Sequence, residues 1–241
     1  MKVRFLKGNI IDAKVDAIVL PANSKLKEGS GASEAIFKAA GRKALAKKCK
    51  EIGYCDVGSA VPTLGYDLDC KCIIHAVVPK WVDGNHDEYN LLSSAYAYTL
   101  QMADLMECKS IAFPLLASGN NGFDLDLALE IATKNIEIFE PKNLEDVIIV
   151  LFGNGVSDLV KEKGYEVGIL PRNLERDEKE RKEKEKREKI LNDAKGVAVK
   201  FAEDQIQKGI DFFKNPKNRE KAVEIGINVV MMALANKKGK K

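Results

Sequence analysis

The chain has 241 residues, 45% of them apolar and 31% charged, with a formal net charge of +3. That length suits one large domain, or one domain with an appendage, and the apolar share can fill a sizeable core. So small a net charge does not by itself argue for a nucleic-acid partner. No run reaches the ~18 apolar residues of a membrane span, and Met1-Lys2-Val3-Arg4 leads straight into a strand pattern in place of a secretory leader.

The first 170 or so residues alternate strand and helix patterns in the βαβ manner. Strands are predicted at 3–6, 17–20, 59–62, 72–78, 110–115 and 147–152, and helices at 32–40, 42–52, 88–107, 124–139 and 156–163. Ala128, Leu129, Ala132, Ile136 and Phe139 recur at helical spacing and should face the sheet. Ile73-Ile74-His75-Ala76-Val77-Val78 is apolar on both faces, as in a strand covered from both sides. The predicted fold class is therefore α/β, a three-layer α/β/α domain over residues 1–171.

The character changes at Pro171. Residues 172–189 carry nine basic and seven acidic side chains with almost nothing apolar. Six Glu/Asp-to-Lys/Arg pairs stand at i,i+4, among them Glu178–Lys182 and Glu183–Arg187, so a solvated helix is expected. Its balanced signs argue against nucleic-acid binding. From Ile190 to Phe213 an apolar stripe follows, Asn215-Pro216 ends it, and a second apolar helix is expected over 225–234. Residues 172–241 thus read as a charged helix plus a helical hairpin, whose exposed apolar face predicts a homodimer.

Five cysteines, an odd number without disulfide-scaffold spacing, suggest a reducing, cytoplasmic setting. Cys70-Lys71-Cys72 lacks zinc-knuckle spacing and the only histidines are His75 and His86, so no metal site is expected and the thiols read as small buried hydrophobes. His75, inside an apolar strand, reads as a core residue, and Asp67 and Asp69 as loop. Nucleophile elbow, Walker A and complete dinucleotide-fingerprint sequences are absent.

Two glycine-bearing loops remain. Ala17-Ile18-Val19-Leu20 leads through Pro21-Ala22-Asn23 to Gly29-Ser30-Gly31-Ala32-Ser33, and Ile111-Ala112-Phe113-Pro114-Leu115-Leu116 leads to Ala117-Ser118-Gly119-Asn120-Asn121-Gly122-Phe123. Each enters a helix. Such a junction offers unpaired N–H groups and the positive end of a helix dipole, which suits phosphate. Two of them could hold a diphosphate between them.

These stretches resemble the macrodomain family of ADP-ribose-binding modules. Gly8-Asn9-Ile10-Ile11 is similar to its Gly-Asp-Ile opening, Val15 through Asn23 to its Val-Asp-Ala-Ile-Val-Asn-Ala-Ala-Asn strand, and Ala35 through Gly41 to the following helix. Ile73 through Trp81 and Ser110 through Pro114 match two further strands, and Ser118 through Phe123 the diphosphate loop. The resemblance spans about residues 1–170. It implies a ligand-binding set of Asn9, Ile10, Ala22, Asn23, Gly29, Gly31, Ala32, Ser33, Ser118, Gly119, Asn120, Asn121, Gly122, Phe123 and Phe152. The distal ribose would lie near Asn23 and the 29–33 loop, with the diphosphate on backbone N–H groups of Ser33 and of 118–123. Phe123 would line the ribose side, and Phe152 would pack on adenine, unless either ring is plain core.

Two departures bear on activity. The acidic residue that receives the adenine amino group in the family is here Asn9, which accepts without charge assistance. The aspartate that activates water in the hydrolytic branch falls on Ser33, a neutral hydroxyl that is no general base. Asn23 is the one weak catalytic candidate. The sequence therefore predicts a module binding ADP-ribose or a related nucleotide, free or on a modified protein, without cofactor. An ADP-ribosyl or O-acetyl-ADP-ribose ester hydrolase and an oligomeric scaffold with a vestigial pocket are the alternatives.

Overall fold

The computed structural model describes residues 1–214. A seven-stranded sheet is built from β1 (Lys2–Lys7), β2 (Ala17–Ala22), β3 (Ala60–Leu64), β4 (Cys72–Val77), β5 (Ser110–Pro114), β6 (Asp146–Leu151) and β7 (Val167–Ile169), in the order β3-β4-β2-β5-β6-β1-β7. Every pairing is parallel except β3 with β4. Six of the strands were predicted within two residues. The edge strand β7 was not, since three residues beside Gly168 are too short to show a period.

Side chains alternate across the sheet with the strand period of two. Val19, Ile74, Phe113 and Ile149 enter one core, while Ile18, Ile73, Ala112 and Ile148 enter the other. The first core is covered by α3 (Glu88–Leu105), α4 (Leu125–Ile138) and Val160 of α5 (Asn154–Glu162). The second is covered by α1 (Ala32–Ala40) and α2 (Arg42–Ile52), through Ile36, Phe37, Ala40, Leu45 and Cys49. Each large side chain buried this way contributes ~1.5–3 kcal/mol. The half-exposed Arg42–Glu28 pair at 2.8 Å belongs to a class worth only ~0–1 kcal/mol, so packing is what holds α1 and α2 to the sheet.

His75 is fully buried, as predicted, and its Nε2 lies 3.0 Å from Thr63 Oγ1. Burial lowers its pKa to about 4, so it is neutral in the folded protein at pH 7. All five cysteines are free, and all but Cys70 are buried.

This compact unit ends at Asn173, whose N–H donates to Asp12 Oδ1 at 3.1 Å. From Leu174 a single helix, α6 (Leu174–Lys214), runs without interruption, so the charged segment and the first arm of the expected hairpin are one helix. Glu178–Lys182 forms at 2.8 Å and Glu183–Arg187 at 4.0 Å, alongside the reverse-order pair Arg181–Glu185 at 3.2 Å. The helix expected over 225–234 lies outside the described residues. No helix among the described residues is long and apolar enough to cross a membrane.

Candidate functional site

The sheet places both glycine loops at one point. β2 and β5 are parallel neighbours, and both loops leave from their C-terminal ends. The first then turns onto the face covered by α1 and the second onto the face covered by α4. Adjacent strands whose connections depart to opposite faces leave a crevice at their carboxyl ends, where open α/β sheets bind ligands.

The loops touch. Asn120 Nδ2 donates to Ser30 Oγ at 2.5 Å, across 90 positions of sequence. In the first loop Gly31 takes φ +65° at the start of α1, and a Cβ there would meet nothing within 4 Å. No side chain caps α1, and the N–H groups of Gly31, Ala32 and Ser33 donate to no acceptor among the described residues. The second loop is similar. Gly119 faces open space, and the N–H groups of Ser118, Gly119, Asn120 and Asn121 have no acceptor among the described residues. Unpaired N–H groups on two abutting loops form a donor surface suited to an anion.

Other predicted residues brace this surface. Ser33 is 3% exposed, and its Oγ accepts the Gly29 N–H at 3.0 Å. The exposed Asn23 spends its amide on its own loop, accepting from Lys25 and Lys27 at 3.2 Å and donating to the Lys27 carbonyl at 2.7 Å. Ala22 and Ile10 are buried in the second core. Ser118 Oγ donates to the Leu115 carbonyl at 2.7 Å, and the Gly122 N–H, at φ +78°, closes a turn onto Gly119 at 2.9 Å. Asn121 Nδ2 donates to the Pro79 carbonyl at 2.8 Å.

The two phenylalanines differ. Phe123 is 4% exposed and packs edge-on against Trp81, ring centroids 5.0 Å apart, so its ring belongs to the core. Phe152 is 80% exposed just beyond β6, which excludes the core reading for it. The Gly8 N–H donates to the Leu151 carbonyl at 3.0 Å, which brings Asn9 to the strand end where Phe152 leaves the sheet. Asn9 Oδ1 is 3.4 Å from the Ile11 N–H that it caps.

Three features carry no local signal in the sequence. Ser30 is the polar contact between the loops, Trp81 supports the second one, and the Tyr96 hydroxyl accepts the Leu116 N–H at 3.0 Å beneath it. Tyr96 is fully buried, and that burial raises its pKa, so the hydroxyl keeps its proton. Its apolar ring surface could have been read as core, but not its hydrogen bond.

Two other features are poorer sites. Asp83, His86 and Glu88 bring one ligand atom each within 4.8 Å of one another, but Glu88 already receives four backbone N–H groups, which leaves a cation little to bind. A hollow of about 450 Å³ lies at the opposite, N-terminal ends of β2, β4 and β5, lined by Lys14, Asp16, Asp69, Cys70 and Lys71 among others. Its charges are mixed, and Asp16 is committed to the Lys109 N–H at 2.7 Å and to Lys71 at 3.3 Å. The single-sign donor surface between the glycine loops is the better site.

The macro domain family model matches residues 19–132. A macro domain-containing protein of Caldanaerobacter subterraneus subsp. tengcongensis is 43% identical over 170 residues, 68% of this chain and 96% of its own length. The O-acetyl-ADP-ribose deacetylase of Escherichia fergusonii is 40% identical over 142 residues, 57% of this chain and 80% of that protein. Among solved structures, the macrodomain of Oceanobacillus iheyensis with ADP aligns at a TM-score of 0.62 and 30% identity, covering 66% of this chain and 87% of that one. With its six parallel strands, its crevice between β2 and β5 and these relatives, the chain belongs to the macro domain family.

Proposed function

We propose that residues 1–171 bind ADP-ribose or a related nucleoside diphosphate, free or attached to protein, in the crevice between the two glycine loops. The observation that carries this reading is the set of unpartnered N–H groups at Gly31–Ser33 and Ser118–Asn121 on loops joined by Asn120 and Ser30. Each charge-assisted hydrogen bond to a phosphate oxygen contributes about 1.5–3 kcal/mol. Several together favour a diphosphate over a monophosphate. Phe152 supplies the adenine platform in this reading. A phenylalanine left 80% exposed forgoes ~2 kcal/mol of burial, which a stacked base recovers. Asn9 stands beside it to accept the adenine amino group. The solved relative with ADP supports a nucleotide at this fold's crevice. Calorimetric titration with ADP-ribose, ADP and AMP tests the proposal. Binding of the first two, with AMP weaker, is expected; equal affinity for AMP contradicts the diphosphate site.

Ester hydrolysis is the second reading, favoured by the 40% identity to a relative named O-acetyl-ADP-ribose deacetylase. Against it stands Ser33, a buried hydroxyl engaged with Gly29, in the place of a base. Loss of a general base costs ~10²–10⁴-fold, so turnover is expected to be slow, and Ser33→Asp to accelerate it. Brisk wild-type turnover that survives Asn23→Ala would contradict the binding-module reading.

Residues 172–241 serve, in this proposal, as a charged helix and a hairpin that pairs with a second copy. The apolar stripe from Ile190 onward supports it, and light scattering that finds a monomer would refute it. Five free thiols fit a reducing cytoplasm.

A further inference from the structure

Glu88 opens α3 and is 1% exposed, and its hydrogen-bond partners are backbone groups. Its Oε1 accepts the N–H groups of Val82 at 3.1 Å and of Asp83 and Gly84 at 3.2 Å, and its Oε2 accepts that of His86 at 2.7 Å. Burial pushes this carboxyl's pKa up, but backbone N–H groups, its own and those of His86, Val82 and Asp83, outweigh it and hold the value at about 2. The carboxylate is therefore ionised at neutral pH, and it gathers residues 82–84 and 86 around one point.

That loop runs directly out of Trp81, the single tryptophan of the chain. The Trp81 N–H donates to the Asn121 carbonyl at 2.7 Å, and its ring packs at 67° against Phe123. Gly84 also comes so close that a Cβ there would stand 3.1 Å from the indole. Trp81 thus contacts both the loop gathered by Glu88 and the glycine loop over 119–123.

We infer that Glu88 is a positioning residue for nucleotide binding: by gathering residues 82–86 against Trp81, it fixes the 119–123 loop in the conformation that presents its N–H groups. It touches no ligand itself. The inference rests on the reading of that loop as the diphosphate site, and it adds a determinant of affinity that lies outside the crevice.

The test uses the full chain with Glu88→Gln, which keeps the side chain's size but sets an amide nitrogen against the surrounding N–H donors. Energetic coupling through a packed chain of this kind is commonly worth a few- to thirty-fold, so ADP-ribose affinity is expected to fall about tenfold. Amide exchange in the ligand-free protein should quicken at 119–123 but not in β5 or β6, and Trp81 emission should shift to the red. A Trp81→Ala background should abolish the effect of Glu88→Gln on that exchange. Wild-type affinity and wild-type exchange at 119–123 in Glu88→Gln overturn the inference. If wild type binds no ADP-ribose, the nucleotide reading fails instead, and the exchange measurement still decides whether Glu88 holds the loop. Should Glu88→Gln not fold, Gly84→Ala, which strains a backbone at φ +86° and crowds the indole, disturbs the same contact, and an unaltered 119–123 loop there refutes the coupling.

Discussion

Gly119→Glu isolates the anion site from the fold. A Cβ at Gly119 meets nothing within 4 Å, and the residue has no left-handed backbone to strain, so stability should change by no more than ~0.5 kcal/mol. The new carboxylate, however, should compete for the unpaired N–H groups of Ser118 to Asn121. It also repels each phosphate charge by ~3 kcal/mol at ~5 Å with an effective dielectric of ~20. Either effect alone lowers affinity by ~100-fold, and together they should place ADP-ribose binding beyond calorimetric detection. The assay pairs titration calorimetry with a melting curve. A Gly119→Glu protein that melts like wild type and binds within about threefold of it would refute the placement of the phosphates on this loop.

Phe152→Ala should leave the melting temperature unchanged, because the ring is 80% exposed, while a lost stack of ~1–3 kcal/mol weakens ADP-ribose but not ribose 5-phosphate; equal losses for both ligands would remove adenine from Phe152. Tyr96→Phe strands the buried Leu116 N–H and should cost ~1–3 kcal/mol in urea unfolding, with ADP-ribose affinity also reduced; an unchanged midpoint would contradict that bond. His75 has a folded pKa of about 4 against 6.5 unfolded, so the unfolded chain binds the extra proton between those values. Stability is therefore fully present above pH 6.5 and falls by about 3 kcal/mol as pH drops to 4. His75→Leu should flatten that part of the profile, and an unaltered slope would point to another group.

Much of this architecture was legible in the chain. Strand patterns such as Ile73-Ile74-His75-Ala76-Val77 announce a sheet covered on both faces, and the structure alternates those residues between two cores. Gly31 marked the first loop by the positive φ it takes at the start of α1, and Gly119 marked the second, where the backbone faces open space. What escaped was set by tertiary contact. Nothing local distinguishes Phe123, sealed against Trp81, from Phe152, which no layer covers. The Asn120–Ser30 bridge joins residues 90 positions apart, and Glu88 opens a predicted helix with nothing local to announce its four backbone N–H partners. The joining of the charged segment to the apolar stripe in one helix needed no special signal, since no breaker separates Lys189 from Ile190.

Amide chemical-shift mapping of the full chain during titration with ADP-ribose tests the central claim most directly. If the diphosphate rests between the glycine loops, the largest saturable shifts fall on the amides of Ala32, Ser33, Gly119, Asn120 and Asn121. Saturation with those amides unmoved, and with the largest shifts at the opposite strand ends around Lys14, Asp16 and Lys71, would contradict it.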